Sequence, residues 1–146
     1  MTCFLDTSAL VKYFHLEKGS DAVDEILSNA QTDAWISELA IVEFYSAFCR
    51  RMRMNEINAE MMMAVDVAFK ENLPRFKLEP IGIPVINAAV RLLTRHAITH
   101  SLKTLDSIQL ATYETISNPG WIFVTADRTL SAVAEMEKYS VLLIES

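Results

Sequence analysis

The chain has 146 residues, 51% of them apolar, with only three glycines and four prolines. That argues for one domain with a substantial core and against disorder or a long linker. A formal net charge of −6 disfavours affinity built on phosphate contacts alone, but a bound cation inverts local charge and leaves a metal-dependent nuclease open.

Short apolar runs alternate with longer amphipathic ones, the pattern of βα units on a mainly parallel sheet. A strand from Thr2 to Leu5 leads into a helix from Thr7 or Ser8 to Phe14. Gly19, Ser20 and Asp21 punctuate the chain before a helix through Ala22, Val23, Ile26 and Leu27. Ala34 to Ile36 is a short strand, and Ser37 caps a helix with Glu38 in its first turn, running to about Met54. Asn55 resembles the start of another helix. Asn58 to Leu73 is helical, rich in methionine and ended by Pro74. A weak strand over Phe76 to Ile81 and a helix from Val85 to Ile98 follow. Thr104 or Leu105 opens a helix through Tyr113, stopped by Asn118, Pro119 and Gly120. A strand to Val124, a helix from Arg128 to about Glu137 and a strand from Val141 to Ile144 complete the domain.

The N-terminus has no basic stretch ahead of an apolar one, and no apolar run approaches the ~18 residues of a membrane span, so a cytoplasmic protein is expected. Cys3 and Cys49 lie in apolar surroundings without ligand spacing and read as buried free thiols. His96 and His100 share a helical spacing but lack a third zinc ligand. The Met61-Met62-Met63 run reads as helix packing or as part of a groove for a partner helix.

Two acids stand where apolar strands stop, Asp6 after Cys3-Phe4-Leu5 and Asp127 after Phe123-Val124-Thr125-Ala126. In open α/β sheets ligands gather just beyond the carboxyl ends of strands. Carboxylates collected there repel one another unless a hard divalent cation, which prefers oxygen ligands, lies among them. Glu43 is a third acid, on a helical stripe with Leu39, Ala40, Ser46 and Ala47. It is costly to bury unless paired, with Arg50 for example, or bound to a cation. Asp106 opens a helix in Leu105-Asp106-Ser107-Ile108-Gln109. Asp6, Asp106 and Asp127 are each also explained as helix caps.

Leu5-Asp6-Thr7-Ser8-Ala9-Leu10-Val11, Ser37-Glu38-Leu39-Ala40 leading to Glu43, Leu105-Asp106-Ser107-Ile108-Gln109-Leu110-Ala111 and Val124-Thr125-Ala126-Asp127-Arg128 resemble, in order, the blocks of a PIN-domain ribonuclease. The length and opening block resemble VapC-type toxins of toxin–antitoxin pairs. The resemblance implies a single three-layer α/β/α domain over residues 1–146, with a mainly parallel sheet of about five strands. It also implies an acidic quartet of Asp6, Glu43, Asp106 and Asp127 acting with Mg²⁺ or Mn²⁺. On that reading Asp6, Asp106 and Asp127 are the metal ligands, Glu43 holds a metal-bound water or a second ion, and Ser8 and Thr125 fix ligand carboxylates. Ser107 and Gln109 stand where many members have alanine and histidine.

Basic candidates for RNA or partner contacts are Lys12, Arg50, Arg51, Lys103 and Arg128, with Arg53 beside the arginine pair. The arginines also complement a helix C-terminus. The resemblance further implies an RNA substrate, a cognate antitoxin and a homodimer. A phosphoryl-accepting receiver module also needs strand-end acids and Mg²⁺ but has no role for Glu43. A binding-only PIN module is disfavoured by the intact quartet.

Overall fold

Side chains alternate across a strand, and the central strands are apolar on both sides, as a buried parallel sheet requires. A computed structural model describing residues 1–146 shows the result. In β1 (Thr2–Leu5), Cys3 and Leu5 enter one apolar cluster and Phe4 the other. In β4 (Ile122–Thr125), Val124 joins the first and Phe123 the second. Phe4 stacks on Phe123 with centroids 5.9 Å apart, the two residues being register partners. With β2 (Asp33–Ser37), β3 (Lys77–Glu79) and β5 (Ser140–Leu143) they form a sheet of order β3-β2-β1-β4-β5. Every pairing is parallel.

The first cluster draws in α1 (Thr7–Phe14), α2 (Ser20–Ser28), α3 (Leu39–Arg53) and α4 (Ala59–Asn72), through Leu10, Leu27, Phe44 and Phe69. Phe44 and Phe69 stack at 3.9 Å, and Phe14 meets both edge-on, joining three helices through rings. The second cluster draws in α5 (Ile83–His96), α6 (Thr104–Ile116) and α7 (Arg128–Met136), through Leu92, Leu110, Tyr113 and Val133. The architecture is therefore three-layered, α/β/α. No helix is long and apolar enough to cross a membrane.

Several sequence expectations need correction. Asn55 does not begin a helix. It adopts a left-handed φ of 59°, which asparagine tolerates, while Asn58 caps α4 by accepting from the Met61 N–H. Helix α3 starts at Leu39, whose N–H bonds the Ser37 hydroxyl. The Glu38 N–H is already engaged by the carbonyl of Glu79, the last residue of β3. Cys49 is exposed rather than buried, because it follows the buried Phe48 and is rotated ~100° around the helix. Phe69, on the same helix as the methionine run, is a core residue. Met62 packs against the core, while Met61 and Met63 are exposed. Gly19 is required on two counts: its φ is 89°, and a Cβ there would collide with the Glu145 carbonyl and press on Ile144.

Candidate active site

Strands β2 and β3 lie on one side of β1, and β4 and β5 on the other. The connections leaving β1 and β4 therefore run to opposite helical layers and open a crevice between them, the place where α/β sheets put ligands. Asp6 leaves β1 into the first layer and caps α1, and Asp127 leaves β4 into the second and caps α7. Glu43 enters from α3 and Asp106 from the first turn of α6, one from each layer.

Asp6 is 3% exposed and strongly fixed. Its Oδ1 accepts from the Ser8 hydroxyl at 2.7 Å and the Ala9 N–H at 3.0 Å, and Oδ2 from the Thr125 hydroxyl at 2.5 Å. Burial raises its pKa to about 6, against the opposing pull of these donors, and the nearby Asp127 charge adds to the rise. Thr125 also accepts the Asp127 N–H at 3.0 Å, and Ser8 the Ala126 N–H at 2.8 Å. These two hydroxyls thus bind the ends of β1 and β4 together. One oxygen of Asp6 thus caps the helix while the other crosses to β4.

Asp106 differs. The Ser107 N–H reaches the Lys103 carbonyl, and no side-chain oxygen caps α6. Burial first, then the charges of Asp127 and Glu43, raise Asp106 to about 6, with Lys103 opposing. Asp106 is therefore close enough to both acids to feel them. Glu43 is not paired with Arg50. Its Oε1 accepts from the Thr7 hydroxyl at 2.9 Å and the Gln109 amide at 2.8 Å.

No three His, Cys, Asp or Glu side chains converge to coordination distance, so the acids form an electrostatic cluster rather than a finished cage. The donor chemistry fits a hard divalent cation. All four groups are carboxylates, and Asp6 and Asp106 are raised partly by neighbouring negative charge that a cation would relieve.

The basic residues divide. Lys12 is 5% exposed, and its ammonium is engaged by the Lys18 carbonyl at 2.7 Å and Glu17 at 3.3 Å. It lines the cleft beside Ser8 and Asp127 with its ammonium already paired. Arg51 bonds Glu17 at 3.0 Å and lies over the Phe48 ring. Arg50, Lys103 and Arg128 are exposed. Arg50 lines two clefts, one with Ser8, Ala47 and Asp127, the other with Thr7, Glu43 and Arg53. His96 bonds Glu137 at 3.3 Å rather than forming a zinc pair with His100.

Two residues of the site were not singled out as functional by sequence. Thr7 adjoins Asp6. Gln109, noted in the sequence only as a departure from the resembled pattern, is 2% exposed on the buried face of α6, where an amide among Leu110, Ala111 and Tyr113 is a second signal.

An α/β/α domain with carboxylates from both layers at the sheet's switch point describes a class of acidic-site α/β proteins. The sequence profile of the PIN domain matches residues 3–136, and the chain belongs to the PIN-domain family, in its VapC-type branch. It is 31% identical to Ribonuclease VapC35 of Mycobacterium tuberculosis, over 95% of this chain and 94% of that one. Among solved structures it is similar to Mycobacterium tuberculosis VapC20, described as a sarcin-ricin loop cleaving toxin. That likeness has a TM-score of 0.66 at 17% identity, covering 89% and 93% of the two chains. It is also similar to FitAcB of Neisseria gonorrhoeae, with a TM-score of 0.65, 16% identity and 96% of each chain covered. A third similarity is to VapBC2 of Rickettsia felis bound to a promoter DNA fragment. Its TM-score is 0.63 at 12% identity, covering 99% and 100%.

Proposed function

We propose that this single PIN domain, residues 1–146, is a divalent-metal-dependent endoribonuclease and the toxin of a cytoplasmic toxin–antitoxin pair. The observation that carries the reading is the gathering of Asp6, Glu43, Asp106 and Asp127 around the β1/β4 crevice, with Asp6 and Asp106 raised to about 6. A cluster of that kind is unfavourable without a cation and has an immediate use with one. The names of the relatives, a ribonuclease and a sarcin-ricin loop cleaving toxin, support the same reading.

Asp6, Asp106 and Asp127 would hold Mg²⁺ or Mn²⁺, which when bound makes water a better nucleophile and neutralises charge on phosphoryl oxygens. Ser8 and Thr125 aim Asp6 and fix its rotamer. Glu43 commits Oε1 to the fold and leaves Oε2 to orient water. Arg50 and Arg53, at the mouth of the second cleft, would meet the RNA backbone, with Lys103 and Arg128 near the other acids. An antitoxin helix or strand would cover the exposed apolar side chains Val42, Met61, Met63 and Val67, and the toxin would pair as a homodimer.

The test is induced expression of the wild type beside Asp6→Asn, with sequencing of new RNA ends. Discrete new ends in the wild type alone are expected. The same ends in both strains, or none in either, would refute the reading.

A further inference from the structure

Gln109 has no assigned role, yet it is almost fully buried and aimed at the site. Its Nε2 donates to Glu43 Oε1 at 2.8 Å and to Thr7 Oγ1 at 3.0 Å. The Thr7 hydroxyl in turn donates to the same Glu43 oxygen at 2.9 Å. The Gln109 Oε1 is buried with no partner. An amide can lower that cost only by turning over, and here turning over would set its carbonyl against a carboxylate oxygen and lose both donors. The amide orientation is thus dictated by Glu43, at the expense of an unsatisfied acceptor.

We propose that Gln109 and Thr7 form a clamp that positions Glu43, fixing Oε1 so that Oε2 alone is presented to the cleft. Three atoms support the clamp from three elements: Glu43 from α3, Thr7 from the start of α1, and Gln109 from α6 across the sheet's end. Both helical layers are joined through it. Gln109 acts through Glu43 and touches no reacting atom, so it is a positioning residue. The proposal rests on the nuclease reading for its consequence and on geometry alone for its existence.

The experiment uses the purified full chain. Gln109→Met keeps the shape and removes the donors, whereas Gln109→His keeps a ring N–H donor. With Mn²⁺ and a pool of random-sequence single-stranded RNA, Gln109→Met should lower kcat about 10- to 100-fold with KM unchanged, as expected for loss of a charge-assisted hydrogen bond. Gln109→His should recover most of the loss. A fall in KM-dependent terms alone, or no recovery by histidine, would overturn the clamp.

A second readout needs no activity. In metal-free melts, Gln109→Met should lower the melting temperature in the wild type and much less in a Glu43→Met background, where the acceptor is gone. Additive shifts would overturn the clamp even if the enzyme is active. A wild type that cleaves no RNA, with the melting shifts still coupled, would uphold the clamp and overturn the nuclease reading.

Discussion

Replacing Asp6 by asparagine should stabilise the metal-free protein at neutral pH while abolishing its response to metal. In the folded state the Asp6 carboxyl is raised from 3.8 to about 6, and each unit corresponds to ~1.4 kcal/mol. The native carboxyl binds its proton more tightly than the unfolded one does. Between about pH 4 and pH 6 the folded state therefore carries more protons, and stability falls as pH rises. Above about pH 6 the full cost of roughly 3 kcal/mol is in place. Asparagine has no charge to desolvate, but with its carbonyl kept at the Oδ1 place its amide nitrogen cannot accept the Thr125 hydroxyl that now reaches Oδ2, a loss of ~1 kcal/mol. The net gain is ~2 kcal/mol, or ~6 °C in melting temperature for a chain of this size. The assay is thermal unfolding of both proteins with chelator at pH 7.5 and at pH 4, then with Mg²⁺ at pH 7.5. The variant should melt higher at pH 7.5, lose that advantage at pH 4, and fall below the wild type once metal is saturating. A variant that melts lower than wild type at pH 7.5 in chelator would refute the electrostatic account of Asp6.

Thr125→Val removes the hydroxyl shared by Asp6 Oδ2 and the Asp127 N–H. It should cost ~2 kcal/mol by urea unfolding and weaken Mg²⁺ binding in the same sample. Glu137 is nearly buried, and donors from Arg91, Arg95 and His96 outweigh burial to hold it at about 2. Its contribution is present above about pH 4.5 and lost as pH falls towards 2. Glu137→Gln should flatten that acid-side slope in pH-resolved melts. Phe69→Ser should destabilise the fold by ~3 kcal/mol or more, whereas Met63→Ser, at a residue 71% exposed, should leave stability within ~0.5 kcal/mol and weaken antitoxin capture.

Where a local pattern determines local structure, the chain was readable. The Cys3-Phe4-Leu5 and Ile122-Phe123-Val124 runs end in polar residues that cap the next helix, so strand, turn and helix start were all visible. Glu43 stood out because a carboxylate on an apolar stripe needs a reason. The chemistry that joins these acids came with the family resemblance, since the residue pattern by itself also described three caps. What was not readable depends on partners distant in sequence. Lys12 is turned inward by Glu17 and Lys18, whose position follows from how α2 folds back on α1. What the Gln109 amide holds is hidden until α3 and α1 bring Glu43 and Thr7 to it. The order of β4 beside β1, which creates the crevice, is a property of the whole chain's path.

The bond between Thr125 and Asp6 joins residues 119 positions apart. At a ribosomal pace of ~10 residues per second, roughly 10 s separate the synthesis of its two ends. During that interval the β1 segment has no β4 beside it, Asp6 lacks its main donor, and Asp127 does not yet exist. No shorter stretch of the chain holds the site. The link between the two strand ends is therefore among the last long-range contacts the chain can make.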